Sequence, residues 1–455
     1  MEPSLDWAQE EFGHADLGDA RRTARLVQLA SALGTRPSMS IPEASGSMAC
    51  TKAAYRFFAN QDIRSQAIME SHVASSIVRM REVDTVLAVQ DTTSLNWSQY
   101  PSTTGLGPID DHHTQGLMVH TTLAMTPEHV PLGVLEQQVW ARSETYHHQD
   151  HGKRVLAQKE SQKWLTSLNA VIALREQCPQ TNFVSVGDRE ADVYDLFLAP
   201  RPKGVDLLVR AAQDRKTTHE SVYLWAAMES LSVAATMVVH MGARGKLPAR
   251  EAALEIRYQP ISLQRPRKRS MKLPCVDVWA IWAVEPHPPQ GIAAVEWMLL
   301  SSVPVETLSD AQQRLSWYAA RWGIEVWHKV LKSGCQIERR QLEAADRLER
   351  CLALYSVIAW RILYATMLAR AAPNVLCTIL LEREEWQGLY CRVHRVPVPP
   401  QEPPTLQQAV RWIAQLGGFL GRKGDGEPGV NVIWKGFQHL IDIAAMFKIF
   451  NQNCG

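Results

Sequence analysis

Thr85–Val–Leu–Ala–Val–Gln–Asp91 is a short apolar run that stops at a carboxylate. A run of this length, too short for a helix, reads as a buried strand. Phe183–Val–Ser–Val–Gly–Asp188 repeats the form and the ending. Helical patterns lie between and beyond these strands, so the fold class is α/β. In such sheets, ligand and catalytic groups collect at the carboxyl ends of strands. If the two strands are neighbours, Asp91 and Asp188 converge.

A third carboxylate stands in Trp317–Tyr–Ala–Ala–Arg–Trp–Gly–Ile–Glu–Val–Trp–His–Lys–Val–Leu–Lys332. At about 100° per residue, a helix here gathers Tyr318, Arg321, Glu325 and Lys332 into a stripe roughly 60° wide. Apolar residues interleave with that stripe. A carboxylate fixed between cations among apolar neighbours suits a metal ligand that works beside a phosphate backbone. Three oxygen ligands with open positions suit Mg²⁺ or Mn²⁺. Two such ions serve phosphodiester chemistry, activating the attacking oxygen and stabilising the leaving one.

Each residue also has a purely structural reading. Asp91, followed by Thr–Thr–Ser, could cap a turn or helix. Asp188, in Asp–Arg–Glu–Ala–Asp, could start a helix. Glu325 could pair with Lys329 one turn on.

Outward from these stretches, residues 1–75 read as a helical module with a basic edge at Arg21, Arg22 and Arg25. Leu117–Met125 and Val130–Trp140 read as strands joined by a turn at Thr126–Pro–Glu–His. Lys153 to Arg175 reads as a helix and Val205–Arg210 as a further strand. Residues 214–300 read as β-rich, with strands at Thr236–His240, Val276–Val284 and Ala293–Leu300. Helices return from Asp310 to Ala372. The Pro-rich stretch Val396–Pro404 is a linker or rigid loop, and Thr405–Phe450 is again helical.

The chain has 455 residues, 46% hydrophobic and 21% charged, with a net charge of +1. These are ordinary values for a globular protein of two or three domains. Charge alone does not announce a nucleic-acid partner, but the basic residues cluster locally. Arg265, Arg267, Lys268, Arg269 and Lys272 form one group; Arg339, Arg340, Arg347 and Arg350 form another. Such stripes bind phosphates without moving the net charge. The eight cysteines show no CxxC spacing, so neither a zinc site nor a redox motif is indicated. His112, His113, His147, His148 and His151 lie in polar segments and read as loop residues. No signal segment is evident, and no uncharged apolar run reaches about 18 residues, so no membrane partner is expected. The reducing cytoplasm is the expected compartment.

Tyr318, Arg321, Glu325 and Lys332 match the signature Tyr–x2–Arg–x3–Glu–x6–Lys at every position. With Asp91–Thr–Thr–Ser–Leu and Asp188–Arg–Glu–Ala–Asp upstream, the chain resembles the insertion-sequence-four family of bacterial DDE transposases. The resemblance extends to Leu17–Gly–Asp–Ala–Arg–Arg, Ala54–Tyr–Arg–Phe, Lys159–Glu–Ser–Gln–Lys–Trp–Leu, Glu296–Trp–Met–Leu–Leu and Leu416–Gly–Gly–Phe. One departure is Gly323, inside the signature helix, where a relative would carry a basic residue.

The resemblance implies a helical domain at 1–75 that binds transposon end DNA, with Arg21, Arg22 and Arg25 on phosphates. It implies a ribonuclease-H-like catalytic domain at 76–372, a mixed sheet flanked by helices and interrupted by a β-rich insertion at about 214–300. A helical domain at 373–455 would form a homodimer. Asp91, Asp188 and Glu325 would hold two Mg²⁺ ions, with Mn²⁺ as a substitute. Tyr318, Arg321, Lys332 and Arg210 would hold phosphates. Trp297 would stack on a base flipped out during hairpin formation; its alternative is a core position on an apolar strand. The function implied is cut-and-paste transposition of double-stranded end DNA into target DNA, in a bacterial cytoplasm at the nucleoid. The rival readings are a non-catalytic regulator that binds DNA, and a metal-dependent nuclease of the same fold.

Overall fold

The computed structural model describes residues 7–110, 113–143, 161–218, 222–241, 250–266 and 273–452. His112, His147, His148, His151, the start of the helix expected from Lys153, and Arg267–Lys272 lie outside the described residues. In chain order the elements begin with α1 (Trp7–Phe12), α2 (Ala20–Thr35), α3 (Ile41–Ser45), α4 (Met48–Ala59) and α5 (Ser65–Met80). Next come β1 (Thr85–Asn96), β2 (Gly107–Pro108), β3 (Gln115–Met125), β4 (Pro131–Trp140), α6 (Gln162–Gln177), β5 (Asn182–Gly187), α7 (Tyr194–Leu198) and β6 (Val205–Arg210). Then follow α8 (Leu224–Glu229), β7 (Ala235–Met241), β8 (Arg250–Leu263), β9 (Val276–Val284) and β10 (Glu296–Ser301). The last are α9 (Leu308–Ala320), α10 (Trp322–Lys329), α11 (Ala345–Ala371), α12 (Arg383–His394), α13 (Leu406–Leu416) and α14 (Val430–Gln452).

The chain forms two compact units. The central unit is Val83–Asp91 with Asp150–Arg321; the terminal unit is Met1–Glu82, Thr92–Gln149 and Trp322–Gly455.

The central unit carries a mixed sheet in the order β1-β5-β6-β10-β9-β8-β7. β1, β5 and β6 run parallel, and β10, β9, β8 and β7 continue antiparallel. The parallel strands read as unbroken apolar runs because both faces are covered: Val86, Leu87, Ala88 and Val89 are all fully buried. α6 buries Trp164, Leu168 and Val171. The β-rich stretch extends this same sheet, since β10 bonds directly to β6. Its strands β7, β9 and β10 fall where the sequence places them. β8 went unread. It carries charges and Pro260, which weaken a strand signal, but Ala252, Leu254 and Ile256 alternate with more exposed neighbours at the strand period of two.

In the terminal unit β3 and β4 pair antiparallel. Their turn is closed by the Val130 carbonyl accepting from the Thr126 N–H at 2.9 Å, with His129 at φ 70°. A buried network ties α1 to α5 and β4. His72 Nδ1 lies 2.5 Å from Glu11 Oε2, and its Nε2 accepts the Val134 N–H at 2.9 Å. Nε2 is therefore the bare nitrogen, and Nδ1–H donates to the carboxylate. Arg79 donates to Glu11 Oε1 at 2.7 Å and lies 4.3 Å from the Trp360 ring centroid.

α11 is long and apolar enough to cross a membrane, but 78% of its most apolar window is buried within the structure. It serves as a core helix. α12, α13 and α14 pack on its second half through Leu389, Ile413, Ile433 and Leu440.

Candidate active site

Two of the three acids lie in the central unit, and strand register places them. Val89 is the β-partner of Val186. Two residues beyond each of these stand Asp91, still within β1, and Asp188, the first residue past β5, so the two acids follow the last paired residues of adjacent parallel strands by the same number of residues. Just before them, Gln90 Nε2 donates to Ser185 Oγ at 2.6 Å and ties β1 to β5. Both acids emerge from buried runs into half-buried positions.

The apolar run in the sequence places the end of β1 at Asp91. The strand runs on to Asn96 instead, while β5 ends at Gly187. The carboxyl end that exposes Asp91 is thus the end of β5. Gly187 is required there, because a Cβ would fall 2.3 Å from the Ala191 Cβ.

Asp188 Oδ1 accepts the Glu190 N–H at 2.9 Å and caps the single turn Arg189–Ala191. Its capping and ligand readings are therefore compatible, since a carboxylate has a second oxygen. The other aspartate of that motif, Asp192, serves structure: Oδ2 accepts the N–H groups of Ala212 and Gln213 at 2.7 and 2.8 Å, and Oδ1 pairs with Arg215.

The signature stretch is not one regular helix. α9 stops at Ala320, Arg321 forms a turn, and α10 runs Trp322–Lys329. A π turn follows at Val330–Gly334, closed by Cys335 N–H donating to the Val330 carbonyl at 2.8 Å. The uniform 100° stripe is broken at Arg321 and at the π turn, which needs more residues per turn. Gly323 has a packing role: a Cβ there would lie 2.5 Å from Met125 Cε.

Within the central unit, three expected DNA-contacting residues form one cluster. Trp297 meets Tyr318 edge to face, with centroids 5.7 Å apart. The Arg321 guanidinium lies 5.8 Å from the Tyr318 ring centroid. Tyr318 is buried and Trp297 half-buried. Arg210 donates to the Glu296 carbonyl at 2.7 Å, one residue from Trp297. On the other face of β10, Glu296 Oε1 accepts both Trp225 Nε1–H at 2.8 Å and Trp282 Nε1–H at 3.0 Å. The sequence reading missed this carboxylate, although the acid directly before the singled-out tryptophan was its signal.

Glu325 and Lys332 belong to the terminal unit. Glu325 lines an open cavity with Trp322, Lys329, Arg370, Arg422 and Asp425. Lys332 sits in the π turn, in a second cavity with Asn96, Gln99 and Arg339. On α2, Arg21 is exposed and paired with Asp19, and Arg25 is half-buried. Arg22 is held by Asp62 at 2.5 Å and by the Leu17 carbonyl at 3.0 Å. His113 is exposed.

The donor chemistry of Asp91 and Asp188, two carboxylates at half-buried positions, fits a hard divalent cation. Among the described residues no three His, Cys, Asp or Glu side chains are gathered as a metal-holding group.

Residues 4–63 match the family described as Transposase DNA-binding, and residues 357–449 match the Transposase Tn5 dimerisation domain. The first match spans α1 to α4; the second spans the latter half of α11 through most of α14. Together they support a DNA transposase of the Tn5 kind. Among solved structures, the chain is similar to the piggyBac transposase synaptic complex with hairpin DNA. The TM-score is 0.36 and the identity 11%, covering 77% of this chain and 67% of that one. Similarity at that level fixes neither fold nor function.

Proposed function

We propose that this protein is a cut-and-paste DNA transposase that binds transposon ends, cleaves them through a hairpin and joins them to target DNA. The observation that carries the reading is the position of Asp91 and Asp188, each two residues beyond the last paired residues, Val89 and Val186, of the adjacent parallel strands β1 and β5, in a chain whose two ends match transposase families. Asp91, Asp188 and Glu325 serve as ligands for two Mg²⁺ ions, or Mn²⁺ in their place. When bound, such ions supply an activated oxygen nucleophile and stabilise the leaving oxygen.

The protein's own groups orient the DNA. Arg321 and Lys332 donate charge-assisted hydrogen bonds to phosphates beside the scissile bond, with Tyr318 as their neutral companion. Trp297 offers a stacking face to a base that leaves the duplex. Arg21 and Arg25 contact end-DNA phosphates, and Arg22 braces the start of α2 through Asp62 and the Leu17 carbonyl; in the central unit Arg210 holds a phosphate and braces β10 through the Glu296 carbonyl. The segment 357–449 brings two copies together on paired ends, in the cytoplasm at the nucleoid.

The test uses purified protein, Mg²⁺ and labelled candidate end DNA, resolved for nicked, hairpin and strand-transferred products. All three products are expected, and none with Asp91→Ala, Asp188→Ala or Glu325→Ala. Cleavage that survives Glu325→Ala removes Glu325 from the ligand set. Binding without any cleavage returns the chain to the regulator reading.

A further inference from the structure

Glu296 sits at the crossing of several elements around Trp297, and no catalytic or DNA-binding role accounts for it. One oxygen of its carboxylate receives two indole N–H groups, from Trp225 on α8 and Trp282 on β9, at 2.8 and 3.0 Å. Its backbone carbonyl receives Arg210 at 2.7 Å. Two residues on, the Met298 carbonyl accepts the Ala211 N–H at 2.7 Å. Trp297 lies between those two carbonyls, and β9 pairs with the strand on its other side, with Ala283 opposite Trp297.

Successive side chains in a strand point to opposite faces. Glu296 therefore faces away from the Trp297 ring and cannot touch a base stacked on it. What it can do is hold the strand. A carboxylate accepting two N–H donors makes charge-assisted bonds, roughly twice as strong as neutral ones. Because the donors come from a helix and from the neighbouring strand, the bonds lock β10 against both. A stacking platform needs such locking, since sub-ångström placement decides whether a captured base gains its full contact.

We propose that Glu296 is a positioning residue for base capture: through Trp225 and Trp282 it fixes the β10 backbone from which Trp297 presents its ring. This inference rests on the base-capture role given to Trp297 under the proposed function. It also gives Arg210 a second duty, holding the same peptide from the β6 side.

The experiment compares Glu296→Ala, Glu296→Gln and Trp297→Ala in the full chain, on end DNA carrying 2-aminopurine at the base expected to flip. Readouts are the ratio of hairpin to first-strand nick and the 2-aminopurine fluorescence gain. Nicking precedes base capture, so a residue acting only on capture leaves nicking unchanged. In Glu296→Ala the hairpin-to-nick ratio should fall about tenfold, the scale of lost charged hydrogen bonds. Glu296→Gln keeps an oxygen that accepts both indoles and should restore the ratio to within about twofold. An unchanged ratio in Glu296→Ala, or equal losses in the Ala and Gln variants, overturns the proposal. If Glu296→Ala fails to fold, Trp225→Phe and Trp282→Phe remove the donors one at a time. Each should then lower the ratio partially, and no loss in either overturns it. Failure of the underlying reading looks different: Trp297→Ala itself then leaves ratio and fluorescence unmoved.

Discussion

The Trp297 ring stands edge-on to the Tyr318 ring, with centroids 5.7 Å apart and planes inclined by 64°. The contact joins β10 to α9, and it joins a residue assigned to a base with one assigned to the backbone. An edge-to-face pair contributes about 0.5–1.5 kcal/mol beyond the area it buries. A double-mutant cycle of Trp297→Ala and Tyr318→Ala, read by denaturant unfolding, should show coupling of that size. Tyr318→Phe keeps the ring and should keep the coupling. Strictly additive losses in the cycle would show that the rings do not interact.

Asp188 caps a turn and is also proposed to hold a cation, and two substitutions separate these duties. Asp188→Ala loses the bond from Glu190 N–H and should cost about 1 kcal/mol of stability. Asp188→Asn retains an accepting oxygen and should unfold like the parent. Both should be inactive on end DNA, because a neutral amide brings no negative charge to hold and offset divalent cations. Full cleavage by Asp188→Asn would restrict this residue to capping.

Gly323 and Met125 compete for one volume. Alanine at 323 would add helix propensity worth about 1 kcal/mol, but its Cβ would press on the Met125 side chain at 2.5 and 2.6 Å. Met125 is fully buried, so overpacking should win and Gly323→Ala should destabilise by about 1–3 kcal/mol. Met125→Ala alone should cost about 2–5 kcal/mol. The double variant should cost clearly less than the sum, as thermal unfolding can establish. Additivity would mean that the methionine swings aside freely.

The buried His72–Glu11–Arg79 network sets a pH dependence. Burial, the largest influence, holds the His72 imidazole below its usual range, with Glu11 opposing and Arg79 assisting. Burial raises the Glu11 carboxyl, but the His72 and Arg79 bonds outweigh it and hold that group low. The other titrating neighbours are Glu10 and Tyr364, both pushed up by burial, and Arg361 adds a cation. For both His72 and Glu11 the folded value lies below the unfolded one. Each contribution is thus complete above the unfolded value and is lost as pH falls. The window opens near pH 6.5 for His72 and near 4.3 for Glu11. Unfolding free energy should therefore decline from about pH 6.5 downward. His72→Asn should flatten the upper part of that decline and Glu11→Gln the lower part. A slope unaltered by His72→Asn would place the titration elsewhere.

The buried parallel strands were legible because burial on both faces leaves an apolar run that ends where the chain surfaces. Val86–Gln90 and Phe183–Gly187 are such runs. β8 was not legible. It lies in the antiparallel half, where alternation replaces the run, and Pro260 obscured the alternation. The breaks at Arg321 and Val330–Gly334 were hidden because helical periodicity survives a one-residue turn in sequence. Nor does periodicity carry tertiary contacts such as the approach of Met125 to Gly323 within α10. The meeting of Trp297 with Tyr318, and of two indoles on Glu296, depends on how β10 packs. Only the composition of those segments was open to inspection beforehand.

The alternation of β1 carries a consequence for which changes of length the gene can tolerate. A one-codon insertion between Val89 and Asp91 would leave the pairing of Thr85 through Val89 with β5 in place. It would turn Asp91 to the opposite side of the sheet, along with every residue that follows in the strand. The product would keep its β1–β5 pairing and lose its chemistry. Natural variation in this segment should consist of substitutions alone, and length changes should collect in the turns, such as Thr126–Val130, where no alternation has to be preserved.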